Sequence, residues 1–275
     1  MIEQTMKKMD KEGDLMNGRK LIPILLTLFL SLGAIPVTAN PNPAPAPAVK
    51  KLMAFVIDDF GNNMQGTEEI LAMPIPLTVA VMPFLPSTKQ DAELAHQKGH
   101  DVLVHMPMEP MKGKRSWLGP GAITADLSDD EIRSRVEKAI DNVPHAIGMN
   151  NHMGSKITAD ERIMRIIMKV VKERGLIYLD SKTTDKSVAG RVAAEMGVPH
   201  AVNQVFLDDV YSAPHITKQM ELVCKKIHNH PICIAIGHVG PPGKKTASVL
   251  RQYIPRIQKE AEFVTISKLI QQTAH

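Results

Sequence analysis

Two aspartates, Asp58 and Asp59, stand side by side directly after the apolar run "LMAFVI". Adjacent carboxylates at the end of a buried segment are costly unless a cation or a proton partners them. Similar polar residues end later apolar runs: His105 in "DVLVHMP", Asn150, Asn151 and His152 after "HAIGM", Asp180 in "LIYLD", Asp208 and Asp209 in "HAVNQVFLDD", and His238 in "ICIAIGH". A mixed set of carboxylates and imidazoles is what a borderline divalent cation such as zinc selects, with a coordination position left open for water in a catalytic site. No cysteine belongs to this set, which excludes a cysteine-based structural zinc site. Each histidine alone reads as a hydrogen-bonded core residue, and Asp59 alone reads as a helix cap. Their recurrence at the ends of apolar runs is what points to a site. His96, His100, His145, His228, His230 and His275 fall in helical patterns, in loops or at the chain end, and are set aside.

The elements that would position these residues are legible as alternating short runs. Eight apolar runs of strand length recur from residue 52 onward, ending with "FVTIS". They are continuous rather than alternating, as expected of parallel strands covered on both faces. Helical patterns lie between most of them. Ser87–Gln90, Ser128–Glu131 and Thr158–Glu161 fit the capping box, and Gly99 and Gly175 follow helical patterns where a left-handed residue is wanted. The expected fold is α/β, a single (β/α) barrel of seven or eight parallel strands. In such a barrel chemistry sits at the carboxyl ends of the strands.

Six segments in order, "IDDFGNN", "VLVHMPMEP", "MNNHMGS", "YLDSKTT", "NQVFLDD" and "IGHVGP", resemble the divergent polysaccharide deacetylase family across roughly residues 50 to 270. The resemblance implies a distorted barrel and a hydrolase that removes acetyl groups from N-acetylated sugars. It implies a metal ligand at Asp59, a catalytic base at Asp58 and a catalytic acid at His238. His105 matches a ligand position, but the second histidine that the wider superfamily carries in the same segment is replaced here by Glu109. His152 is the candidate to complete the metal set, with Glu109 the alternative. Asp180 or Asp209 would hold the His238 imidazole in one tautomer, and Asn151 is a further neighbour of the ligands.

Composition bounds the alternatives. The 275 residues are 44% hydrophobic, enough for a packed core, and the net charge of +4 is spread rather than blocked, so nucleic-acid binding is not implied. The run "LIPILLTLFLSLGAIPV" with its basic flank reads as a secretory signal peptide over 1–39, with Met16 an alternative start and an uncleaved membrane anchor the rival reading. "NPNPAPAPA" reads as a Pro/Ala-rich linker over 40–49, followed by a single domain over 50–275. The domain is thus expected to work outside the cytoplasm, secreted or in the cell envelope. Cys224 and Cys233 read as two small buried hydrophobes. Trp117, the only tryptophan, lies in the basic, glycine-rich stretch "KGKRSWLGPGA" and could stack on a sugar or pack beneath its own loop. Besides the deacetylase, two readings compete. One is a catalytically silent barrel that binds glycan or an envelope protein; the other is a metal-dependent phosphodiesterase, for which no phosphate clamp is visible.

Overall fold

The computed structural model describes residues 51–273. The expected signal peptide and linker lie outside the described residues. Among those described, no helix is long and apolar enough to cross a membrane.

Nine strands share one parallel sheet: β1 (Lys51–Phe60), β2 (Thr78–Val81), β3 (Asp101–Met108), β4 (Ala146–Met153), β5 (Ile177–Asp180), β6 (His200–Val202), β7 (Val205–Phe206), β8 (Ile232–His238) and β9 (Ala261–Phe263). Eight helices accompany them: α1 (Thr67–Leu71), α2 (Thr88–Gln97), α3 (Asp129–Asn142), α4 (Glu161–Glu173), α5 (Ala189–Met196), α6 (Ala213–Asn229), α7 (Gly243–Ile257) and α8 (Ile266–Thr273). The strand order is β6-β5-β4-β3-β2-β1-β8-β7, with β9 paired to the start of β1. This is a curled, barrel-like α/β sheet with parallel strands, as the run pattern predicts.

The run "HAVNQVFLD" is one apolar stretch in sequence and two strands in space. β6 pairs with β5, β7 pairs with β8, and the chain changes neighbour at Asn203 and Gln204. Asn203 N–H donates to the Asp180 carbonyl at 2.9 Å, whereas Gln204 N–H donates to the Ile234 carbonyl at 3.1 Å. A single segment therefore links the two ends of the sheet. The final run shifts as well: β9 ends at Phe263, and Ile266 already belongs to α8.

The continuous apolar character of the strands has a direct structural cause. Alternate residues feed two different cores. One is an outer layer between strands and helices, including Phe55, Ile57, Val104, Met106, Met149 and Tyr178. The other is an inner cluster, including Ala54, Val56, Leu103, Leu179, Ile234 and Ile236, which Ile266 and Leu269 of α8 also join. Cys224 and Cys233 are buried, free thiols in the outer layer, and burial pushes the Cys233 thiol up to about 12.

Of the three expected capping boxes, only Ser128 with Glu131 forms one, at the start of α3. Ser87 precedes α2 but donates to Asp91 Oδ2 at 2.9 Å and accepts from Asn63 N–H, so its hydroxyl ties a loop instead. Thr158 donates to the Gly154 carbonyl inside a short 3-10 turn, leaving Asp160 to cap α4 through Ile163 N–H at 3.1 Å. Gly99 and Gly175 have φ of 78° and 66° beyond α2 and α4, the left-handed geometry for which glycine is suited.

Candidate active site

Following the inner face of each strand to its carboxyl end reaches the polar residues. On β1 the inner series Leu52, Ala54, Val56 ends at Asp58; on β3, Leu103 leads to His105; on β8, Ile234 and Ile236 lead to His238. Register aligns these ends: Asp58 lies opposite His238, and His105 opposite Asn150, with His152 two residues further along the same face of β4. Period-2 alternation alone thus delivers Asp58, His105, Asn150, His152 and His238 to one mouth.

Asp59 breaks that alternation. As the next residue after Asp58 it should face the outer layer, but its φ is 71° and the pairing of β1 with β2 shifts register between Ile57 and Phe60. The left-handed backbone turns its carboxylate toward the two imidazoles at a cost of about 1 kcal/mol. Asp59 Oδ1 lies 2.9 Å from His152 Nδ1 and 3.2 Å from His105 Nε2, and those two nitrogens are 3.1 Å apart. Despite these distances, Asp59 Oδ1 is buried and takes part in no well-directed hydrogen bond. Among the described residues, Asp59, His105 and His152 are the group of three or more such side chains whose ligand atoms converge, all within 4.8 Å of one another. One carboxylate oxygen and two imidazole nitrogens directed at a shared point fit a divalent cation by donor chemistry and by the orphaned oxygen alike.

The electrostatics of this wall are strongly coupled. Burial raises the Asp58 carboxyl above its ordinary range, against the attraction of His105 and His238. Burial acts in the same direction on Asp59, but the contacts from His105 and His152 outweigh it and hold that carboxyl well below its ordinary range. For His105 burial disfavours the charged ring, yet the Asp58 and Asp59 charges raise its pKa on balance.

The opposite wall is built around Asp208. Its Oδ1 accepts from His238 Nδ1–H at 2.7 Å, and its Oδ2 accepts from His238 backbone N–H at 2.8 Å and from the Thr246 hydroxyl at 2.6 Å. Gly237 makes this approach feasible, because a Cβ there would lie 2.9 Å from Thr246 Cγ2. Burial opposes charge on His238, but the Asp208 hydrogen bond and the Asp58 and Asp59 charges raise its pKa to about 9. With Nδ1–H committed to Asp208, Nε2–H is the proton left for donation.

The residue expected to orient His238 is therefore corrected: it is Asp208, neither Asp180 nor Asp209. Asp180 falls on the outer parity of β5, where it accepts from Lys182 N–H and the Ser187 hydroxyl. Asp209 lines the cavity but pairs with His215 at 2.6 Å. Glu109 also stands apart from the Asp59, His105 and His152 cluster, accepting from Lys156 Nζ and from Ala125 N–H, both at 2.9 Å. Asn151 lines the cavity, and its Oδ1 accepts from Ser181 N–H at 3.1 Å, which braces β4 against the end of β5. The alternation of the inner face was the sequence signal that could have placed Asn150 among the site residues and Asp180 outside them.

The two walls enclose a cavity of about 560 Å³ whose rim carries Trp117, Phe206 and Tyr211. Trp117 is 59% and Tyr211 56% exposed, so the indole does not pack beneath its own loop. Phe206 lies nearly parallel to the His238 ring, with centroids 6.2 Å apart.

A carboxylate and imidazole constellation at the mouth of a curled α/β sheet defines the class, and comparison with known proteins places the chain within it. The profile of the divergent polysaccharide deacetylase family matches residues 55–270, and the chain belongs to that family. Two relatives agree in extent. An uncharacterized protein of Haemophilus influenzae is 35% identical over 217 residues, 79% of this chain and 76% of the relative. The uncharacterized protein YibQ of Escherichia coli is 36% identical over 218 residues, 79% of this chain and 67% of the relative. Among solved structures, an uncharacterized protein from Agrobacterium tumefaciens superposes with a TM-score of 0.74 at 18% identity, covering 82% of this chain and 91% of that one. The Bc1960 peptidoglycan N-acetylglucosamine deacetylase gives a TM-score of 0.55 at 16% identity, covering 82% and 90%. Both likenesses are of fold.

Proposed function

We propose that the protein is a secreted, metal-dependent hydrolase that removes acetyl groups from N-acetylated sugars of a polysaccharide or cell-wall glycan. The observation that carries this reading is the convergence of Asp59, His105 and His152 on one point, facing His238 and its Asp208 partner across a single cavity. A divalent cation, most suitably zinc, held by those three residues would supply Lewis acidity to the acetyl carbonyl and to water. Asp58, beside the cluster and fixed by Asn150 Nδ2–H at 2.9 Å, takes the proton from water as its oxygen bonds to the acetyl carbon. His238, oriented by Asp208, gives its Nε2 proton to the departing amine as the C–N bond breaks. The products are a free amino sugar and acetate.

Exposed Trp117 and Tyr211 at the rim offer flat apolar faces on which sugar rings can stack, which supports a carbohydrate rather than a phosphodiester substrate. The apolar run at 21–37 supports work outside the cytoplasm, by secretion or through an uncleaved anchor.

The test is acetate release from N-acetylglucosamine oligomers by zinc-loaded protein, compared with Asp58→Asn and His105→Ala. The expected loss in kcat/KM is at least about 100-fold for each. Equal release by all three proteins would contradict the assignment. Absence of release from any N-acetylated oligomer, with oligomer binding retained, would favour a silent glycan-binding barrel.

A further inference from the structure

Asn150 is fully buried on β4, one layer beneath the cavity, and its side chain spans two residues with different tasks. Its Nδ2 donates to Asp58 Oδ1 at 2.9 Å, and its Oδ1 lies 2.8 Å from His105 Nδ1. Ser181 Oγ, at 3.4 Å, is a weaker second partner for Nδ2. The chemistry of the three groups fixes the direction of this chain. An ionised carboxylate only accepts, so the amide must present its NH₂ to Asp58 and its carbonyl to His105. A carbonyl also only accepts, so His105 must carry a proton on Nδ1. The neutral ring then has its lone pair on Nε2, the nitrogen 3.2 Å from Asp59 Oδ1 and 3.1 Å from His152 Nδ1.

We propose that Asn150 is a positioning residue that sets the tautomer of His105 for metal ligation and, through the same amide, fixes Asp58 for proton transfer. The inference rests on the metal site proposed above and extends it: ligand and base become parts of one hydrogen-bonded unit with a direction. A reversed amide would turn the His105 lone pair to Nδ1 and place a proton where the cation should be. Buried groups that orient a metal-binding imidazole typically change metal affinity by about 10- to 100-fold when removed.

Two substitutions separate the two halves of the role. Asn150→Leu removes both hydrogen bonds. Asn150→Asp keeps an acceptor for His105 Nδ1–H but replaces the amide donor to Asp58 by a second carboxyl, so that the two acids share one proton and Asp58 is lost as a free base. Zinc dissociation constants, measured by chelator competition on the purified protein, should weaken about 10- to 100-fold in Asn150→Leu and stay within about threefold of the parent in Asn150→Asp. Acetate release should fall in both. In the zinc-loaded parent, ¹⁵N-edited NMR of the imidazoles should show His105 protonated at Nδ1 and unprotonated at Nε2, with a slowly exchanging Nδ1 proton. Asn150→Asp should retain that signal.

A His105 ring bound to zinc through Nδ1 overturns the proposal without any variant, even if Asn150→Leu fails to fold. A folded Asn150→Leu with parental zinc affinity also overturns it, as does an Asn150→Asp as weak as Asn150→Leu. If the parent binds zinc and shows the expected tautomer but releases no acetate, the hydrolase reading and the proton-transfer half of the role fall, while the setting of the His105 tautomer by Asn150 stands.

Discussion

The two walls of the cavity solve the problem of buried charge in opposite ways. Around Asp208 every charge has a directed partner: both carboxylate oxygens accept hydrogen bonds, from the His238 ring, its backbone and Thr246. Around Asp59 the atoms are equally close but poorly satisfied, with a left-handed backbone, a buried oxygen lacking a directed hydrogen bond, and two imidazole nitrogens turned toward each other. A closed network holds a proton in place. An open one stores strain that a ligand can relieve, which is the arrangement expected where a cation belongs.

That contrast can be broken by substitutions of unequal cost. Asp208→Ala leaves the partly buried His238 ring and the buried Thr246 hydroxyl without their acceptor and should destabilise the protein by roughly 2 kcal/mol in urea unfolding. Asp59→Gly should cost less in the metal-free protein, within about 1 kcal/mol, because relief of the left-handed strain at φ near 70° offsets the loss of the carboxylate that His105 and His152 share. The same change should abolish tight zinc binding. If both substitutions destabilise equally, the two walls do not differ as described.

Between these in size is the pH response. In the metal-free protein His238 has its pKa raised to about 9 against 6.5 for an ordinary histidine. A raised value means that the His238–Asp208 pair contributes its full stability below about pH 6.5 and loses it as pH rises through about 9. Urea midpoints across this window should fall for the parent and stay flatter for His238→Gln. A cation on the opposite wall adds positive charge to the same cavity, so zinc should lower the His238 pKa by roughly one unit in an NMR titration. An unchanged value would place the cation elsewhere.

Much of this arrangement was legible in the sequence because parallel strands carry their inner and outer faces in strict alternation. Asp58, His105, His152 and His238 fall at run ends on the inner parity, and the helix and strand alternation gave the fold class. The rest depends on local departures from regular geometry. Asp59 reaches the site only through a left-handed residue and a register shift, neither of which residue type announces. Asp208 and Asp209 are adjacent and chemically identical, and only tertiary packing decides that the first is buried against His238 and the second pairs with His215. Ser87 and Thr158 match the capping signature, but nearby acceptors, the Asp91 carboxylate and the Gly154 carbonyl, take their hydroxyl protons. The division of "HAVNQVFLD" into β6 and β7 similarly follows from which neighbour each half meets, a property of the whole sheet.

The central claim is that one divalent cation is gripped by Asp59, His105 and His152. Anomalous diffraction at the zinc absorption edge from crystals of the zinc-soaked protein tests it most directly. The account predicts a single strong peak within coordination distance of Asp59 Oδ1, His105 Nε2 and His152 Nδ1, with Glu109 still bound to Lys156. A peak held by Glu109, or none near the three side chains at saturating zinc, would contradict it.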